Sequence, residues 1–250
     1  GIVTFSPTKP SRGRVSQAPY LGEGWAGYTV DGCVTRSVRD SAAVLDAISG
    51  YEPGDPYTAV PFARPLTDEI GADPGRLRIG FVDRSPNVAA DAECASAVAA
   101  TVSLLVSLGH HVTEGGPDAF FDEAMVQRFI TVLAANSAHD QRTMEEMMGR
   151  PVQPDDLEPD NHMYVALGQA VSSADYIAAV NGNHAWTREI LSWWHPADSA
   201  TGFDLLVTPT LAGPPPPIGY LSGAEGAARV VELLQYTAQL NVTGQPAVSL

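Results

Sequence analysis

The stretch from Leu77 to Thr113 constrains the fold most. Leu77-Arg78-Ile79-Gly80-Phe81-Val82 reads as a short strand, apolar enough to be buried. Asp91 stands where a helix cap belongs. Cys94, Val98, Val102, Leu105 and Leu108 then recur at helical spacing, and Gly109 closes the run. His111-Val112-Thr113 reads as a second strand. Strand, helix and strand at this spacing form a parallel, right-handed crossover. Helices must therefore pack on the sheet, which places the chain in the α/β class.

The rest of the chain fits that class. Residues 1–35 are rich in Pro, Gly and Ser and should form extended segments and loops. A helix follows, capped by Thr35 or Ser37, with Val38, Ala42, Leu45 and Ile48 on one face and Gly50 at its end. Residues 51–74 are a loop-rich crossing. Residues 118–149 read as helical, with Phe121, Met125, Phe129, Val132 and Leu133 on one side. The acidic, Pro-containing stretch 151–160 breaks that pattern. Another helical region covers 172–194 and ends in Trp193-Trp194. Phe203 to Thr208 reads as a buried strand stopped by Pro209, Pro214 to Pro217 as a rigid polyproline step, and 223–240 as a last helix. The expectation is one domain over 1–250 with a mixed β-sheet core flanked by helices. Both ends read as cut. Gly1-Ile2-Val3 starts in strand character, and Pro246-Ala247-Val248-Ser249-Leu250 stops inside an apolar run. The domain is therefore expected to be incomplete at both ends.

Composition excludes several roles. With 29 acidic and 14 basic side chains among 250 residues, the formal charge is −15. Such a balance disfavours non-specific nucleic-acid binding, which needs basic patches to displace counterions. It equally disfavours docking on anionic lipid. The 44% apolar content excludes a disordered chain. Cys33 and Cys94 make neither a disulfide framework nor a CxxC pair, and read as buried, reduced thiols. There is no apolar run of ~18 residues and no signal-peptide pattern at the start, so the expected compartment is cytoplasmic.

Spacing alone shows no reaction centre. No serine sits in a GxSxG elbow. None of the six histidines belongs to HExxH or another metal pair. His139-Asp140 and His195 are acid/base candidates without a visible partner, and satisfied or surface histidine is the plainer reading. Gly22-Glu23-Gly24 and Gly115-Gly116 lack the residues of a phosphate loop. Asp155, Asp156 and Glu158 read as a solvated turn, Trp193-Trp194 as helix-end packing, and Asn241-Val242-Thr243 as a chance sequon. Lys9 is the sole lysine. Between Pro7 and Pro10 it should be extended and exposed, unlike the buried lysines that serve as bases.

Five segments, in order, resemble the amidase signature family. Gly1-Ile2-Val3 with Lys9-Pro10-Ser11-Arg12-Gly13-Arg14-Val15-Ser16 is similar to the run G-[LI]-V…K-P-[ST]-x-G-R-V-S. Thr35-Arg36-Ser37-Val38-Arg39-Asp40, with Leu45-Asp46 behind it, resembles R-[ST]-V-R-D…L-D. Leu77-Arg78-Ile79-Gly80 and Leu108 to Val112 resemble the family's crossover. Asp204-Leu205-Leu206-Val207-Thr208-Pro209-Thr210 matches D-L-L-[VL]-T-P-T, and Asn241 to Leu250 matches N-[LV]-[TS]-G-Q-P-A-[IV]-S-L. One departure is visible: the link from Thr4 to Thr8 is longer than the family's usual one into Lys-Pro.

The resemblance implies α/β/α layers and a cytoplasmic hydrolase of amide, carbamate or ester bonds. In that family a serine nucleophile, a bridging cis-serine and a lysine act beside an oxyanion hole of backbone N–H groups. All three side chains precede the G-[LI]-V run, so the resemblance places no catalytic residue in 1–250. Lys9 matches the K-P lysine, which is not the catalytic one. The substrate walls implied for this piece are Phe129, Leu133, Asn136, Tyr176 and Thr210. A small-molecule amide is the expected partner, without cofactor, metal, nucleic acid or membrane; a homodimer is left open. Two alternatives stand beside this reading: a transamidating amidotransferase subunit, and a non-catalytic scaffold of the same fold.

Overall fold

The computed structural model describes residues 6–196, 202–222 and 225–250. It divides the chain into two compact units: Gly1–Arg76 with Ala238–Leu250, and Leu77–Thr237. Both combine strands and helices, as the α/β class requires.

The first unit is built on an antiparallel sheet. Its strands are β1 (Ser6–Lys9), β2 (Cys33–Thr35) and β6 (Ala247–Val248), in the order β2-β1-β6. Thr8 of the central strand faces Cys33 on one side and Val248 on the other. Helix α1 (Val38–Ile48) follows β2. Ser37 caps it by accepting a hydrogen bond from the Asp40 amide at 3.1 Å. Ala42 and Leu45 are buried as the periodicity expects, while Val38 and Ile48 at the two ends are exposed. Asp46 on α1 accepts from the amides of Leu66 (2.7 Å) and Thr67 (3.0 Å). These bonds anchor the loop-rich crossing to the helix and hold the Asp46 carboxyl below its usual range. Helix α7 (Ala238–Thr243) leads into β6.

The second unit holds the crossover. Strands β3 (Arg78–Phe81), β4 (His111–Glu114) and β5 (Leu205–Val207) form a parallel sheet in the order β4-β3-β5. Helix α2 (Ala92–Ser107) links β3 to β4, and the Asp91 side chain accepts from the Glu93 amide at 2.8 Å. Helix α3 (Glu123–Met148) packs against both α4 (Pro159–Gln169) and α5 (Ser173–Leu191). Phe120, Met125, Val132, Val165, Trp186 and Ile190 are buried in this unit. The Trp186 indole donates to the Ala119 carbonyl at 2.9 Å, so a large side chain is buried without orphaning its N–H. Trp193 stacks on Phe203 at 4.1 Å, which agrees with helix-end packing. Helix α6 (Gly226–Leu233) closes the unit. No described helix is long and apolar enough to cross a membrane.

Three readings need correction or fall outside the description. The stretch after 151 does not stay irregular: Pro159 starts α4 from the first helical position, where its missing N–H costs nothing. The single helix expected over 223–240 is two, α6 and α7, with an unwound step between them. The strand character of residues 1–3 and part of the longer Thr4–Thr8 link lie outside the described residues.

Gly168 shows how closely α3 and α4 approach. A Cβ there would overlap the Ala134 carbonyl oxygen and lie 3.0 Å from the Ala138 Cβ. The obstacle is backbone, so one helix must shift. Gly168→Ala is expected to destabilise the protein by about 1–3 kcal/mol, read as a lower urea midpoint at unchanged m-value. An unchanged midpoint would refute backbone-to-backbone packing here.

Candidate functional site

Among the expected wall residues, Tyr176 stands apart from the α3 stripe. Phe129, Leu133 and Asn136 share one stripe of α3, as spacings of four and three require. All three are half-buried. The Asn136 amide nitrogen donates to the Val132 carbonyl of its own helix at 2.8 Å, so the side-chain oxygen is the acceptor left for another partner. Thr210 lies beyond β5, after the buried Pro209, and is exposed. Tyr176, in the first turns of α5, is half-buried and borders a hollow of about 230 Å3. That hollow is also bordered by Ala135, Ala138, His139 and Arg142 of α3 and by Gly168, Val171, Ser172 and Ser173. At about 3.6 residues per turn, the α3 residues at the hollow point well away from the Phe129–Leu133–Asn136 stripe. Tyr176 therefore belongs to a different face of α3 from its expected companions.

Lys9 differs from expectation too. It ends the central strand β1 and is half-buried, not exposed. Its ammonium donates to the main-chain carbonyls of Gln245 (2.8 Å) and Pro10 (3.2 Å). Burial, and then the positive charge of Arg12, lower its pKa from 10.5 to about 8. An amine at that value can act as a base, yet its hydrogen-bond partners are carbonyls, which have no proton to give.

Arg12 is the busiest side chain of the first unit. Its Nε donates to the Gly27 carbonyl at 2.6 Å. Its Nη2 donates to the carbonyls of Asn241 (3.1 Å) and Val242 (2.7 Å). Those two carbonyls are in the last turn of α7, where no intrahelical partner remains. Gly244, at φ 75°, also lies against Arg12; a Cβ there would sit 3.0 Å from the arginine Cβ. Spacing carried no signal for this role. It needed the K-P-S-R-G-R and N-V-T-G-Q-P runs to meet.

The remaining chemical candidates are scattered. His139 and His195 are exposed. Asp156 is paired bidentately with Arg150 at 2.6 and 3.0 Å, which holds its carboxyl at about 2. Cys33 and Cys94 are free, half-buried thiols, and burial raises the Cys94 pKa. Among the described residues no group of three or more His, Cys, Asp or Glu side chains is arranged to hold a metal ion.

The Amidase family model matches residues 8–250. The chain belongs to the amidase family. A 6-aminohexanoate-cyclic-dimer hydrolase of Pseudomonas sp. (strain NK87) is 33% identical over 256 residues, covering 97% of this chain and 51% of that relative. A solved 6-aminohexanoate cyclic dimer hydrolase superposes with a TM-score of 0.91 at 32% identity, over 98% of this chain and 53% of the other. A bacterial aryl acylamidase of the amidase signature family superposes at 0.79 with 18% identity, over 98% and 51%, a likeness of fold. This amidase-family chain thus spans about half the length of the relatives it matches.

The Lys9 amine makes stability depend on pH in a definite direction. Its folded pKa is below its unfolded one, so between about pH 8 and 10 the unfolded chain carries the extra proton. Raising the pH through this window stabilises the folded state. Wild type is expected to gain stability relative to Lys9→Met from pH 8 to 10 in matched urea titrations. A constant difference across the window would show that Lys9 titrates normally.

Proposed function

We propose that this chain is the substrate-wall portion of an amidase that cleaves the C–N bond of a small, non-peptide amide. The observation that carries the reading is 33% identity to a 6-aminohexanoate-cyclic-dimer hydrolase across nearly the whole chain. In this reading the reactive serine, the bridging serine and the catalytic lysine lie outside residues 1–250. The carbonyl-bound state of Lys9, the sole lysine here, supports that division. The serine oxygen attacks the amide carbon, and its proton passes through the second hydroxyl to the lysine amine. The tetrahedral oxyanion is held by backbone N–H groups. The C–N bond then breaks, the amine leaves with the proton, and water releases the acid from the acyl-enzyme. No cofactor is needed, and the compartment proposed is the cytoplasm.

The walls would select the acyl side. Phe129 and Leu133 offer an apolar stripe for methylene groups, and the Asn136 oxygen offers an acceptor for a substrate N–H. Cyclic amides of ω-amino acids combine both features and are the first substrates to try.

The test is hydrolysis of the 6-aminohexanoate cyclic dimer by the full-length protein, followed by mass spectrometry of the linear product. Turnover is expected, and a fluorophosphonate probe should label a serine outside residues 1–250. Labelling of a serine within 1–250 that tracks loss of activity would overturn the division. Leu133→Ala is expected to raise KM about tenfold with little change in kcat, since it removes apolar contact made equally before and during reaction. A fall in kcat at constant KM would instead place Leu133 against the reacting atoms.

A further inference from the structure

We infer that the hollow between α3, α4 and the start of α5 is a binding site for a small organic carboxylate, separate from the Phe129–Leu133–Asn136 wall. The inference does not rest on the amide-hydrolase reading.

Four observations meet there. First, the hollow measures about 230 Å3, well beyond what one water or one bare ion fills. Second, its rim carries Arg142 and His139 from successive turns of α3. The Arg142 guanidinium forms no hydrogen bond or ion pair with any described residue, Glu146 one turn along included. An unspent planar fork of donors matches the two oxygens of a carboxylate. Third, Tyr176 and Ser173 add hydroxyls to the same rim. Fourth, Ala135, Ala138, Gly168 and Val171 set an apolar patch within an otherwise mostly polar lining. A site for phosphate or sulfate alone would not need that patch. An anionic head with a short hydrocarbon body satisfies both parts.

The nearby carboxylates do not fill this role. Asp175 accepts from the Ser172 hydroxyl at 2.6 Å, and its own amide donates back to the Ser172 oxygen at 3.1 Å. It is therefore engaged in the cap of α5. Asp140 follows His139 in sequence but points to the opposite side of α3 from Arg142. What sets Arg142 apart from the other exposed arginines of this acidic chain is its place at the mouth of a hollow that an anion can enter.

The probe is hexanoate, with hexanamide as its neutral isostere, titrated calorimetrically into the full-length protein. One hexanoate per chain is expected to bind with a dissociation constant on the order of 1 mM, and hexanamide at least tenfold more weakly. Arg142→Gln should weaken hexanoate at least tenfold and leave hexanamide unchanged. Arg142→Lys should recover only part of the loss, because a point charge replaces a fork. Arg142 is exposed, so both variants should keep the wild-type unfolding midpoint, which separates a binding effect from misfolding. Equal binding of hexanoate and hexanamide, or full hexanoate affinity in Arg142→Gln, overturns the site. Arg142-dependent binding of inorganic phosphate tighter than hexanoate overturns the choice of ligand. Any of these results can be read whether or not the protein hydrolyses an amide.

Discussion

One guanidinium closes the first unit. Arg12 spends its donors on the carbonyls of Gly27, Asn241 and Val242. Its backbone amide donates to the Gly244 carbonyl at 3.0 Å. Three stretches that are remote in sequence therefore share one cation. Helix α7 is only six residues long, so its last carbonyls need partners from outside the helix. A lysine could not replace this side chain, because one ammonium cannot reach along two directions from a rigid plane. Glycine at 27 and 244, both at positive φ, lets backbone and guanidinium come together. With Arg12 in place, β6 is delivered to the edge of β1, and the Lys9 ammonium finds the Gln245 carbonyl. The same positive charge then lowers the Lys9 pKa.

The long excursion between those ends has its own logic. Residues 77–237 close a separate core around a parallel sheet whose middle strand comes first in sequence. Parallel strands need crossovers, and α2 supplies the first. The second crossover, from β4 to β5, carries α3, α4 and α5. Helix α3 is long enough to serve two surroundings. One face meets Gly168 of α4 and borders the hollow, and another carries Phe129, Leu133 and Asn136. A family that keeps its sheet and varies such a helix can change what it binds without disturbing how it folds.

Much of this was legible in local chemistry. The crossover and the caps at Ser37 and Asp91 follow from short-range rules of periodicity and capping. The family resemblance was legible because its motifs are contiguous. What was missed had non-local or ambiguous causes. Pro159 breaks a helix when internal and starts one when first, and letters alone did not distinguish the two cases. The helix expected over 223–240 is interrupted near 234–237, where the buried Gln235 bonds the Ser85 hydroxyl at 2.8 Å and Tyr236 packs edge-on to Phe121, partners some 115–150 residues away that no local pattern shows. Lys9 was misjudged because its burial is made by strands and carbonyls far along the chain.

The sequence by itself determined the α/β class, the family, the main caps and the stripe on α3, because each is written in residues a few positions apart. Only the tertiary structure decided which faces meet. It put Tyr176 across a hollow from Arg142 instead of beside Leu133, buried half of Lys9, and gave Arg12 its three carbonyls. Those outcomes depend on which distant backbone groups lack partners when the core closes, and no local pattern records that.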